Sequence, residues 1–507
     1  MNSGKKLTLN TISSLVYEVS AIICGFILPR LILQAFGSSV NGLVNSVSQF
    51  LGVINFLEMG VGAVIKSSLY KPLYDGDNRQ ISRIVASGQK FFRRIALILA
   101  VYVVVLAVVL PIIKTDFDFL FTALLVLAMS VSTFAQYYFG IIDGLLLGAD
   151  QRGYVQYFIQ TLTILINTLA CAIIINWGAS IQTVKLVTSL IFLLRPLVLR
   201  LYVKKHYDID RKIKYQGEPI SQKWDGFAQH LSAVILEGTD VIVLTLFATL
   251  PDVSVYSVYY LVVKGVKTVI LSFTSGIQPL LGRIWAKGDK KQLKDAFTLT
   301  EWAMHAVTAF AFSCTAFLII PFVEVYTSGI TDANYVQPLF GYLIVFANAF
   351  HRLSLPYQVM IQAAGEYKNT KTIFYVTAVM NIVMSVATVF FFGLVGVAIG
   401  TLVSMATQTV WLAVFNHKKL VKGAIWSFIR NTLADVVTIV ATYFATSWLA
   451  MSSVDYAGWI TLALPTAGIA LAVTVVVNLI FNYRYVAAAV SALKAKKAEK
   501  AQRNAEE

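Results

Sequence analysis

The chain has 507 residues, 57% of them hydrophobic and 13% charged, with a mean hydropathy of +0.72 and a formal net charge of +15. That is far more apolar surface than a soluble core of this length can enclose, so lipid must be its solvent. The Lys and Arg residues sit between apolar runs rather than on one folded face, which excludes a nucleic-acid binder, and Cys24, Cys171 and Cys314 lie in apolar segments without CxxC spacing, which argues against a disulfide framework, a metal site or a cofactor.

A helix needs about 20 residues to cross a hydrocarbon core of about 30 Å. In chain order, windows of that length fall at 10–36 and 40–66, then 91–113, 119–147, 153–176 and 181–203. A polar stretch at 204–224 follows, and further windows lie at 225–249, 253–285, 299–325, 335–363, 371–392, 394–416, 428–450 and 457–481. The expectation is an all-α polytopic membrane protein with about 14 transmembrane helices. The apolar stretch after Lys5 and Lys6 runs to about Phe36 without a small-residue cleavage site, so the first helix is expected to stay in the mature protein.

With the N terminus in the cytoplasm, 35 of the 41 Lys and Arg residues fall on inner loops and helix ends, and only Lys114 and Lys185 on the outer side. This asymmetry predicts a multi-pass protein of the plasma (inner) membrane with both termini cytoplasmic. Every outer connection is short, the longest being Glu324 to Tyr335, which leaves no room for an extracytoplasmic catalytic domain. The inner loops at 67–90 and 204–224 carry no nucleotide fingerprint, so no enzymatic activity is expected.

The chain also matches itself. GDNRQISRI at Gly76 to Ile84 pairs with GDKKQLKDA at Gly288 to Ala296, an offset of 212 residues. GADQRGY at Gly148 to Tyr154 pairs with AGEYKNT at Ala364 to Thr370, each followed by a helix carrying an Asn, Asn167 and Asn381. Six spans separate the members of each match, which predicts two parallel six-helix bundles related by pseudo-two-fold symmetry, with a C-terminal helix pair appended. The expected boundaries are 1–203 for the N-terminal bundle, 204–224 for a cytoplasmic linker and 225–416 for the C-terminal bundle. Helices 13 and 14 then occupy 417–481, and 482–507 form a basic cytoplasmic tail.

Three stretches resemble a known family. FGSSVNGLVNSVSQFLGVINFLEMGVGAVIKSSLYKPLYDGD looks like its helix 2 and following loop, and EGTDVIVLTLF with VYSVYYLV looks like its helices 7 and 8. IQAAGEYKNTKTIFYVTAVMNIVMSV with GLVGVAIGTLVS looks like its helices 10 to 12. The family is the polysaccharide (lipid-linked oligosaccharide) flippase branch of the multidrug/oligosaccharidyl-lipid/polysaccharide exporter superfamily. The resemblance implies translocation of an undecaprenyl-pyrophosphate-linked oligosaccharide from the inner to the outer leaflet by alternating access, for cell-surface polysaccharide assembly. It implies as partners membrane lipids, a polysaccharide polymerase and glycosyltransferases. The alternatives are a cation or drug antiporter of the same superfamily and a membrane glycosyltransferase or polymerase.

Nine charges fall well inside the windows: Glu18, Glu58, Asp143, Glu237, Asp240, Arg30, Lys264, Lys267 and Arg352. Each costs about 2.5 to 3.5 kcal/mol at the bilayer centre on insertion scales, so they must face one another or a watery cavity. Arg30, Lys264, Lys267 and Arg352 are the candidates for contact with a pyrophosphate, whose charge suits Lys and Arg. Glu18, Glu58, Glu237 and Asp240 are candidates for ion coupling, or for ion pairs such as Arg30 with Asp240 and Glu237 with Lys264 or Lys267.

Overall fold

The computed structural model describes residues 3–213, 227–272, 274, 277–423, 425–488 and 491; most of the expected linker and the tail beyond 491 lie outside them. Among the described residues there is no strand, and each of the fourteen predicted windows contains helix. Among the described residues nine helical stretches are long and apolar enough to cross a membrane; Tyr367–Leu420 holds two predicted spans, and Thr8–Gly52 holds one and part of the next. The chain is an all-α, multi-pass membrane protein.

The helices are α1 Ser3–Gly52, α2 Asn55–Asp75, α3 Asn78–Ile113, α4 Phe119–Ala135, α5 Ile141–Ala149, α6 Gly153–Asn176 and α7 Ile181–His206. They continue with α8 Phe227–Phe247, α9 Leu250–Ser272, α10 Ile277–Lys287, α11 Lys290–Tyr326, α12 Pro338–Leu353 and α13 Leu355–Ala364. The last are α14 Tyr367–Phe415, α15 Trp426–Thr446 and α16 Tyr456–Phe481. A π-helical turn, Gln136–Gly140, joins α4 to α5, and another, Asn416–Leu420, follows α14.

Several helix breaks fall inside predicted spans. The 40–66 window stops at Gly52 and restarts at Asn55, because a glycine and the β-branched Val53 and Ile54 are weak helix formers in succession. The 335–363 window breaks at Ser354: Pro356 has no N–H to return to the carbonyl four residues back, and the Ser354 hydroxyl donates instead to His351 O at 2.6 Å. The 253–285 window is two helices, α9 and α10. Hydropathy averages over such breaks because both flanks are apolar.

Two glycines separate spans without a loop. Gly37 (φ 80°) divides α1 and Gly393 (φ 54°) divides α14, in backbone regions open mainly to glycine. The two halves of α14 then pack through small residues. Thr388 Oγ1 donates to Gly396 O at 2.7 Å, Asn381 Nδ2 donates to Thr401 Oγ1 at 3.2 Å, and a Cβ on Gly400 would stand 2.6 Å from Ser385 N.

The sequence repeat is a repeated helix stop and start. Gly76 (φ 70°) and Gly288 (φ 72°) both take the left-handed conformation, and the next residue in each case caps a long helix. The Asp77 carboxylate accepts from Gln80 N at 2.9 Å, and that of Asp289 accepts from Gln292 N at the same distance.

The chain divides into two compact units, Met1–Ser257 with Gly329–Ala333, and Val258–Ser328 with Asn334–Glu507. In the first, α1 packs along α6, α4 along α7, and α3 against α4, around a core that includes Leu43, Val47, Ile65 and Leu99. In the second, α11 packs against α12, α15 and α16, and α12 against α14; a core of Phe297, Tyr357, Met360 and Leu412 sits at one end. Large apolar side chains point outward at helical spacing, as in Leu97, Val101, Val104 and Val108 of α3, which is the signature of a surface solvated by lipid.

Candidate functional site

In the first unit the half of α1 beyond Gly37 is joined to α8, to the start of α9 and to the 329–333 segment by a seam of small and polar residues. The Asp332 carboxylate accepts from Ser38 N at 2.7 Å and from Ser38 Oγ at 2.6 Å. Asn41 Nδ2 donates to Ser254 Oγ at 2.7 Å, and the hydroxyls of Ser46 and Thr245 share a hydrogen bond at 2.6 Å. Gly42 lies between them, so close that a Cβ there would stand 1.9 Å from Leu250 O. Asn41, Ser46, Thr245 and Ser254 are all buried, and these side chains pair with one another.

Five of the predicted site residues belong to this unit. Glu18 faces outward from α1 and Arg30 is half-buried on the same helix. Glu58, in the first turn of α2, is half-buried and hydrogen-bonded to Tyr137. On α8, Glu237 is exposed, whereas Asp240 is buried and accepts from the Tyr256 hydroxyl at 2.9 Å. Asp143, the ninth intramembrane charge, is fully buried and pairs with Arg211 at 2.5 Å.

The second unit holds the other three. On α9, Lys264 is exposed, while Lys267 is 5% exposed with its ammonium 5.4 Å from the Tyr260 ring centre. An aromatic face gives a cation in the membrane a partner that does not neutralise it. Arg352, at the C-terminal end of α12, is 6% exposed beside the buried His351. The three-residue spacing on α8 and on α9 thus yields one inward and one outward charge in each case.

A buried polar cluster in the second unit has no counterpart among the predicted residues. Glu301 of α11 is fully buried; its Oε1 accepts from the Tyr357 hydroxyl at 2.7 Å and faces His417 Nε2 at 2.8 Å, and its Oε2 accepts from Ser427 Oγ at 2.8 Å. One turn further, His305 Nδ1 lies 2.5 Å from Asp435 Oδ2. The cluster joins α11 to α13, α15 and the turn after α14. Its one sequence signal is a Glu and a His four apart at the edge of an apolar window, which places both on one helix face. Among the described residues no group of His, Cys, Asp and Glu is suited to hold a metal ion.

No protein-family model and no curated protein matches the chain. Solved structures do. The chain is similar to the lipid II flippase MurJ in its inward closed conformation, with a TM-score of 0.69 and 14% identity over 94% of this chain and 100% of that one. It is also similar to an inward-facing multidrug resistance MATE family transporter of the MOP superfamily (TM-score 0.60, 14% identity, 85% and 99% covered). A mutant of the Vibrio cholerae MATE transporter VcmN gives a TM-score of 0.59 at 14% identity, with 83% and 98% covered. At these identities the likeness shows a shared fold.

Proposed function

We propose that the chain is a flippase that carries an undecaprenyl-pyrophosphate-linked oligosaccharide across the plasma membrane by alternating access, for cell-surface polysaccharide assembly. The observation that carries this reading is how much of the chain a lipid flippase accounts for: MurJ spans 94% of it, against 83 to 85% for the two MATE structures. The cations support it. Lys267 is buried in a transmembrane helix against an aromatic ring, and Arg352 is buried at the end of another, so positive charge is retained where it is costly. A pyrophosphate provides the matching anion.

In this reading Arg30, Lys264, Lys267 and Arg352 meet the pyrophosphate, and Glu18, Glu58, Glu237 and Asp240 serve ion coupling or hold the cations in place. Both termini are cytoplasmic, and the polymerase and glycosyltransferases of the same assembly line are its partners. The seam from Ser38 to Thr245 then lies toward the outer face and shuts it.

The test is the double variant Lys264→Ala, Lys267→Ala. Surface polymer should be lost, and completed lipid-linked units should accumulate on the cytoplasmic side, while the protein still reaches the membrane. Normal polymer in that strain would remove these residues from the site. Proteoliposomes that export a cationic drug but leave a pyrophosphate-linked oligosaccharide unflipped would instead make the protein an antiporter.

A further inference from the structure

Positive charge converges at one place in the first unit that the proposed transport site does not use. Beside the middle of α3, a pocket of about 680 Å³ is lined by Gln89, Lys90, Arg93, Arg94, Arg211 and Lys212 among others. No carboxylate lines it among the described residues. The segment after α7 that supplies Arg211 and Lys212 is fixed in place: Asp210 N donates to Ser82 Oγ at 3.1 Å, and Arg211 is paired with the buried Asp143.

We infer that this pocket binds the phosphate-bearing headgroup of an anionic membrane lipid. The groups beneath it are set as a platform. The Gln89 side chain is buried, and with its carboxamide oxygen turned toward the guanidiniums it accepts from Arg93 at 3.0 Å and from Arg200 at 3.3 Å. Arg93 lies 4.9 Å over the Tyr138 ring, and its Nε is buried with no hydrogen-bond partner among the described residues. Asp143 answers one of the cations; the others repel one another until an anion arrives. Topology alone calls for cations on a loop, and does not call for five of them around one concavity backed by a buried carboxamide.

The rim of the pocket identifies the source of the anion. Leu97 lines it and is 60% exposed, and from there the outward stripe of α3 continues through Val101 and Val104 to Val108. Those 11 residues rise roughly 16 Å at 1.5 Å per residue, enough to lie along an acyl chain whose headgroup sits among the cations. The volume lies within the range of about 300–1,000 Å³ usual for small-ligand sites. A soluble phosphate would have no use for the apolar track.

The test uses the full-length protein, purified and delipidated in detergent, with native mass spectrometry reading the retention of phosphatidylglycerol and of phosphatidylcholine of the same chain length. Lys90, Arg94 and Lys212 are exposed, so the triple variant K90Q/R94Q/K212Q leaves the core untouched, which its melting temperature verifies. Phosphatidylglycerol retention should fall at least tenfold in this variant, with phosphatidylcholine unchanged. An equal charge loss in the second unit, K368Q/K371Q/K418Q, should leave both unchanged. Equal retention in the parent and the pocket variant would overturn the assignment, as would an equal fall in the second-unit variant. Displacement of the lipid by millimolar inorganic phosphate alone would assign the pocket to a soluble anion and overturn it as well.

Discussion

Gly42→Ala tests the seam that holds α1 to α8 and α9. The added methyl carbon would stand 1.9 Å from Leu250 O, where ordinary contact begins near 3.4 Å, and the obstacle is backbone rather than a side chain that can swing aside. The two sides of the seam must therefore separate by more than an ångström, which breaks the Asn41–Ser254 and Ser46–Thr245 hydrogen bonds and pulls Ser38 from Asp332. At about 1 kcal/mol for each of the two neutral bonds and about 1.5 to 3 for each of the two to the carboxylate, the closed arrangement loses roughly 5 to 8 kcal/mol. At 1.4 kcal/mol per factor of ten, that moves a closed–open equilibrium by roughly four to six orders of magnitude. Val253 is fully buried in the closed seam. With Val253→Cys in a background lacking Cys24, Cys171 and Cys314, a membrane-impermeant maleimide should label the Gly42→Ala protein at least tenfold faster than its parent. Gly25→Ala, where nothing lies within 4 Å of the new carbon, should label at the parent rate. An unchanged rate for a folded Gly42→Ala protein would refute the seam as a closure.

Glu301→Ala leaves His417, Tyr357 and Ser427 without their shared, buried acceptor, so the thermal midpoint in detergent should fall by the equivalent of about 3 to 5 kcal/mol, with Glu301→Gln milder; an unchanged midpoint would show the cluster to be dispensable. Asp77→Ala and Asp289→Ala each remove a helix cap of the same geometry and should each cost about 1 kcal/mol, the two adding in the double variant because the sites share no partner; a cost at one site alone would contradict the equivalence of the repeats. Gly393→Ala meets no steric obstacle yet must hold φ near +54°, so it should lower the midpoint by about 1 to 2 kcal/mol; a neutral effect would mean that the turn between the halves of α14 has relaxed elsewhere.

The fold was legible wherever chemistry repeats along the chain. Apolar length located the spans, and Gly393 fell between two predicted windows because the strand of apolar residues on either side is long enough to cross by itself. The Gly-Asp motif announced two helix starts because a left-handed stop and a carboxylate cap are both local. Long-range contacts were not legible in this way. Asp332 sits in the connection between α11 and α12 and meets Ser38, which is 294 positions away, and nothing in either neighbourhood names the other. The same holds for Glu301 and His417: each looks like a polar residue at a span edge until the helices are packed. The intramembrane charges were found by their cost, but whether each turns inward or outward, as Lys267 and Lys264 do, depends on the neighbours that surround the helix.

The matched caps set α3 and α11 in one sequence register, and that register has a consequence for the charges each helix carries. At the 212-residue offset that relates Asp77 to Asp289, Gln89 corresponds to Glu301 and Arg93 to His305. Both Gln89 and Glu301 are buried, so the two matched helices carry a polar side chain at the same turn, a neutral amide in one and an acid in the other. In α11 the acid is met by His417, while His305 one turn on is met by Asp435; in α3 a neutral amide lies beneath a crowd of guanidiniums. What the two helices share is the part that starts a helix, and where they differ is the part that sets which charges the surroundings must supply.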